Sequence, residues 1–179
     1  RYQMKTRKIM TVLVVIGILL ILPGGKVKAQ RVPGERYIVP GGSTTSTDCA
    51  RSDPCDLRYA IDVVANQGDI LIVHSGTYNS ILPSEELIFI DKSLTLRGSC
   101  EFDSTTPYIC YPEQQNSILD GENTKRVIRI QGNGIEKFEI EGFTIMQGRG
   151  TAPAQCRNTS IDGCGGGINA YNLEKLTLK

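Results

Sequence analysis

Short runs in which apolar and polar residues alternate, each ended by glycine or a polar turn, fill the chain from residue 70 onward. Nothing else in the sequence restricts its fold as tightly. Ile70/Ile72, Leu87-Ile88-Phe89-Ile90, Leu94/Leu96, Ile118/Leu119, Ile128/Ile130, Phe138/Ile140, Phe143/Ile145 and Leu176/Leu178 carry the apolar beat. Ser93, Thr95, Arg97, Arg129, Glu139, Glu141, Thr144 and Thr177 fall between or beside them. A period of two is that of a strand with one face buried, and runs this short predict strands of three to five residues. No two runs are joined by a two-residue Asn-Gly or Asp-Gly turn, which argues against a meander of hairpins. The chain therefore reads as all-β.

The runs also repeat. KSLTLRG (92–98), EKFEIEG (136–142) and EKLTLK (174–179) share one polar-apolar-polar-apolar phrase. With Ile72, Leu96, Ile140 and Leu178 taken as equivalent, the intervals are 24, 44 and 38 residues. Setting aside the cysteine-bearing stretches 99–115 and 152–164 leaves 27 and 25 for the longer two. A unit near 25 residues with about three short strands has the size of one solenoid coil. A β-sandwich would also give alternating runs, but it predicts no repeated unit and leaves a lone helix without a role.

That helix is expected at 54–66. Asp53 is a candidate N-cap, Pro54 stands at the first helical position and Asp56 lies in the first turn. Leu57, Ile61, Val64 and Ala65 form one apolar stripe, and Gly68 is the expected stop. Residues 30–48 are polar and rich in Pro and Gly, a leader with a strand candidate at Arg36–Val39.

At these residues the chain resembles a known family. CDLRYAIDVVANQGDILIVHSGTY (55–78) is similar to the opening of secreted bacterial right-handed parallel β-helix proteins, including a group named for a C-S-L-R-E-A segment. Here that segment reads Cys55-Asp56-Leu57-Arg58-Tyr59-Ala60. SLTLRG (93–98), SILDG (117–121), FEIEGFTIMQG (138–148) and GGGINAYN (165–172) resemble the repeating phrases of such proteins. The resemblance implies a right-handed parallel β-helix (solenoid) with an N-terminal capping α-helix. It divides the chain into a signal peptide (1–29), a leader (30–48), a capping-helix region (49–68) and β-helix coils (69–179). With Leu176-Thr177-Leu178 in mid-strand at the end, the sequence reads as the N-terminal fragment of a longer array.

Residues 1–29 read as a secretory signal peptide. Lys5, Arg7 and Lys8 precede a 14-residue apolar run, Ile9 to Leu22, and Val27-Lys28-Ala29 favours cleavage between Ala29 and Gln30. Fourteen helical residues span about 21 Å, short of the ~30 Å hydrocarbon core, so the run suits a signal better than an anchor. No later apolar stretch is long enough to span a membrane. Export makes the six cysteines legible as three local disulfides: Cys49 with Cys55, Cys100 with Cys110, and Cys156 with Cys164. Each pair brackets a polar loop, and fifteen connectivities are formally open. Zinc is the competing reading, but no C-x-x-C occurs and His74 is the one imidazole.

Candidates for chemistry are few. Six basic and no acidic residues lie in 1–29, so the remainder carries 14 basic against 19 acidic groups and offers no footprint for nucleic acid. Glu139 and Glu141 share one face and could form a glycosidase-like carboxylate pair, although cross-strand pairing with Arg129 and Lys137 is the simpler account. Asp120 before Gly121 reads as a turn residue, His74 as structural, and Gly165–Gly167 as close coil packing. Asn158-Thr159-Ser160 fits a glycosylation sequon. No metal site or cofactor is expected, and calcium has no supporting motif. The expected function is that of a secreted or cell-surface scaffold binding extracellular polysaccharide or cell-surface glycans. A pectate-lyase-like polysaccharide enzyme is the alternative, with no catalytic residue assignable.

Overall fold

β-branched and aromatic residues dominate the alternating runs, and they form strands because their side chains fit a pleated, half-buried surface. The computed structural model describes residues 33–79, 85–132, 135–150 and 166–179. The expected signal peptide 1–29, its cleavage point at Ala29 and Gln30, and the sequon at Asn158 lie outside the described residues. So do Cys156 and Cys164, and with them the third expected disulfide.

In chain order the strands are β1 (Glu35–Ser43), β2 (Ile70–His74), β3 (Gly76–Tyr78), β4 (Glu86–Ile90), β5 (Leu94–Glu101), β6 (Ile109–Cys110), β7 (Ser117–Asp120), β8 (Arg126–Gln131), β9 (Phe138–Glu141), β10 (Phe143–Met146), β11 (Ile168–Tyr171) and β12 (Leu176–Leu178). They form three sheets. Sheet A has the order β1-β2-β5-β9-β12, with β6 attached to β5; sheet B is β3-β7-β10 and sheet C is β4-β8-β11. Every pairing is parallel except β5 with β6. Three times the chain visits A, then B, then C, before β12 returns to A. The fold is thus all-β, built on parallel sheets.

Register decides which side chains meet. In sheet A, Leu94 lies beside Phe138, and Leu96 beside Ile140, which in turn neighbours Leu178. Leu94, Leu96, Phe138 and Ile140 are buried in one apolar cluster with Leu119 of sheet B and Ile88, Ile90, Ile128 and Ile130 of sheet C. Thr95, Glu139, Arg97 and Glu141 alternate with them on the opposite, outward face.

The expected equivalence of Ile72 with Leu96 is corrected by one residue. Leu71 pairs with Leu96, and Ile72 pairs with Arg97. A shift of one position sends a side chain to the other face. Ile72 accordingly leaves the main core for a second apolar cluster with Tyr37 and Cys100. Ile70-Leu71-Ile72-Val73 is apolar on both faces, so alternation offered no mark of which face points inward.

The helix also differs from expectation. It is α-helical over only Leu57–Tyr59 (α1) and continues as a π turn over Ala60–Val64. Its N-cap is Asp56, not Asp53: the Asp56 carboxylate accepts from the N–H groups of Arg58 and Tyr59 at 2.9 and 3.1 Å. The start is delayed because Cys55 is bound up elsewhere. It is bridged to Ile38 and Ser43 and joined by a disulfide to Cys49, while the N–H of Asp56 donates to Ser43. The stripe Leu57, Ile61, Val64 and Ala65 is buried in the main cluster.

Candidate functional site

The outward face of sheet A carries a groove of about 430 Å³. Ile70, Thr95 and Glu139 come from three successive strands, β2, β5 and β9, and stand in one register row. Arg97 lies one row further along the strands. The turns that enter these strands close the other side with Gln67, Ser93, Glu136 and Lys137.

Those turns are stitched together. The Ser93 hydroxyl accepts from the N–H groups of Glu136 and Lys137, both at 3.2 Å, and from the Gln67 amide at 3.0 Å. The N–H of Ser93 donates back to Gln67 at 2.9 Å, and that of Gly68 to the Ser93 carbonyl at 2.7 Å. One hydroxyl thereby ties three successive passes of the chain, which makes the rim a fixed surface.

Cations answer the two carboxylates that sequence reasoning set side by side. Arg97 Nε lies 3.0 Å from Glu141 across the β5–β9 pairing. Lys137 Nζ lies 2.7 Å from Glu139, and Lys179 Nζ reaches the other Glu139 oxygen at 3.8 Å. The hydrogen bond from Lys137, helped by the nearby lysine charges, holds the Glu139 carboxyl below the usual range against a smaller opposing effect of burial. The anionic form is favoured, the reverse of what a proton donor to a glycosidic oxygen requires.

Other sequence candidates are structural. Asp120 accepts from the N–H of Glu122 at 2.8 Å, the bond of an Asx turn. His74 is 2.8 Å through Nδ1 from the Ser75 carbonyl and 3.0 Å through Nε2 from Glu101, with its ring edge-on to Phe102. The carbonyls of Gly166 and Gly167 accept from Val127 and Ile128 in the backbone pairing; Gly165 lies outside the described residues.

Of the three expected disulfides, two fall on described residues and both are formed: Cys49 is joined to Cys55, and Cys100 to Cys110. The expected link between Cys156 and Cys164 is not among them, because Cys156 and Cys164 lie in the stretch 151–165 outside the described residues. Among the described residues no three His, Cys, Asp or Glu side chains gather into a metal-holding group, and no helix is long and apolar enough to cross a membrane.

Comparison with family models, curated proteins and solved structures gave no match.

Sequence reasoning did not foresee the rim residues Gln67, Ser93 and Glu136. They stand far apart in the chain, and only the register of successive turns brings them together. It also missed a second cluster at the far end of the same face. There Glu35 accepts from the hydroxyls of Tyr37 and Tyr108 at 3.0 and 2.9 Å. Arg51 stacks over the Tyr37 ring at 5.0 Å and donates to its hydroxyl at 3.0 Å. The one available signal was the aromatic content of the 100–110 loop, Phe102 and Tyr108, which is unusual for an exposed connection.

Proposed function

We propose that this chain is part of a right-handed parallel β-helix from an exported protein, and that the outward face of sheet A holds an extended glycan without cleaving it. The threefold A-B-C path with in-register parallel pairing supports the solenoid. The segment Leu57–Val64, whose apolar side chains join the core, serves in this reading as the cap of the first coil, and residues 1–29 direct export. Two disulfides suit an oxidising setting outside the cell.

The observation that carries the ligand is the groove itself. Its register row presents Ile70, Thr95 and Glu139 on consecutive strands, spaced about 4.8 Å apart. A linear polymer lying across the strands therefore meets an apolar floor at one end and hydroxyl or carboxylate partners at the other. The lining holds two cations and two anions, so it matches a neutral chain of hydroxyls better than a strongly charged polymer.

A polysaccharide-cleaving enzyme of the pectate-lyase type is the second reading, favoured by Glu139, Glu141 and Arg97 projecting from adjacent strands of one face. The ion pairing of both carboxylates supports holding over cleavage.

Affinity electrophoresis through gels containing neutral or acidic polysaccharides tests the proposal. Retention by a neutral polymer, lost in Thr95→Arg, is expected. Retention by acidic polymers only, or release of unsaturated sugars from them, would overturn it in favour of the second reading.

A further inference from the structure

Residues 101–110 leave sheet A at the end of β5, turn on Asp103, and return as β6 with Cys110 opposite Cys100 and Ile109 opposite Glu101. This strap does not contribute to the main core. Its Phe102 and Tyr108 pack instead against the second apolar cluster of Tyr37, Ile72 and Cys100, as Ile70 does. Both rings stand edge-on to Tyr37, with centroids 5.1 and 6.1 Å away. Polar contacts hold the rim: Tyr108 donates to Glu35, and Arg51 donates to the Thr106 carbonyl at 2.6 Å.

What the strap covers is continuous with the groove. Ile70 both lines the groove and packs against the strap cluster. Ile72, beneath the strap, is the register neighbour of Arg97, which lines the groove. The strap thus stands beside the groove, and beneath it lies more apolar floor of the same sheet.

We propose that the Cys100–Cys110 disulfide is a latch, and that its reduction lets the strap swing off and extends the groove from Ile70 over Ile72 and Tyr37. The importance of that extension rests on the glycan-binding reading of the groove. A dithiol is the reductant. Its thiolate attacks the sulfur of Cys110, a partly exposed residue, and Cys100 leaves as a thiolate. The second thiol then closes on the mixed disulfide. Two electrons pass to the protein, Cys100 and Cys110 end as thiols with two protons, and the dithiol ends as a cyclic disulfide. Cys49 and Cys55 are both fully buried, so the other described disulfide is shielded from the same attack. Freeing a closure of ten positions shifts the open-to-closed ratio by about 100-fold on loop entropy alone.

Hydrogen exchange read by mass spectrometry on the full chain, without glycan, tests this. Mild dithiothreitol should speed exchange in 101–110 by about 100-fold while β5 and β9 stay protected, and Cys100→Ser/Cys110→Ser should do the same without reductant. Unchanged exchange in 101–110, or loosening that spreads through β2 and β5, would overturn the latch. The same samples run through polysaccharide gels separate the two claims. Strap opening in a protein that no polysaccharide retains would contradict the groove reading and still support the latch.

Discussion

The Lys92 ammonium donates to the carbonyl of Ile61 at 2.9 Å and approaches that of Ala65 at 3.4 Å. This contact compensates for the π turn. The N–H of Ala65 bonds to Ala60 rather than to Ile61, so the Ile61 carbonyl loses its ordinary partner inside the helix. Lysine supplies the missing donor from the turn before β5. Asn66 completes the end by donating from its amide to Val64 at 3.0 Å.

Replacing Lys92 with Met keeps the apolar stem and removes the donor. The Ile61 carbonyl is then left unpaired at a residue 1% exposed, which should cost about 1–3 kcal/mol. Urea denaturation should show the lower midpoint, and Lys92→Arg should recover most of it. A midpoint unchanged in Lys92→Met would mean that the contact contributes nothing.

Asp69 anchors the entry to β2. Burial raises its carboxyl, but N–H groups of Asn66 and Gly34 and the side chain of Arg36 outweigh that and hold it below the usual range. Its lowered value means that this stabilisation is complete above the ordinary carboxylate range and is lost as pH falls through the shifted value. Asp69→Asn removes the charge at a fully buried position facing Arg36 at 3.0 Å, and should cost about 3 kcal/mol. Thermal unfolding at neutral pH checks this, and the difference between the two proteins should shrink in acid.

Leu96, Ile140 and Leu178 could be aligned from the bare sequence because polar neighbours mark the outward face at each of them. Ile72 could not, because β2 buries both faces and its neighbours are apolar. The helix start was hidden for another reason. Asp53-Pro54 has the chemistry of an N-terminus, yet the Cys49–Cys55 link and the bridge to β1 hold the chain extended through Cys55. Glu139 and Glu141 were visible as neighbours on one face. Their cations were only half visible, since Lys137 is adjacent in sequence while Arg97 meets Glu141 only through register.

Gly98 lies within β5, against Gly142 at the corner between β9 and β10. A Cβ there would collide with the Gly142 carbonyl and the Phe143 ring of the next pass. Gly98→Ala should cost about 1–3 kcal/mol through overpacking. Gly41 offers the contrast: its φ is +65°, but nothing lies within 4 Å of a Cβ. Gly41→Ala should cost about 1–2 kcal/mol from backbone strain alone. Crystal structures of the two variants would separate the mechanisms, with strand displacement expected only for Gly98→Ala.

The strap turn carries its own pH signature. Asp103 accepts from the N–H groups of Thr105 and Thr106, both at 2.7 Å, and from the Thr105 hydroxyl, which brings its carboxyl down to about 2 from an ordinary 3.8. A lowered value means that the turn is fully supported above about pH 4 and fails as pH drops toward 2. Amide protection at Thr105 and Thr106 should be flat from pH 7 to 4 and fall below that. Loss between pH 7 and 5 would contradict the assignment.

The groove assignment is tested most directly by mapping where a glycan binds. Backbone and methyl NMR shifts should be followed while oligosaccharides from a retained neutral polysaccharide are added. The account predicts saturable shifts at Ile70, Thr95, Arg97 and Glu139, with sheets B and C silent, and their loss in Thr95→Arg at an unchanged denaturation midpoint. Saturable shifts that leave these four residues untouched and fall on sheet B or C would contradict it.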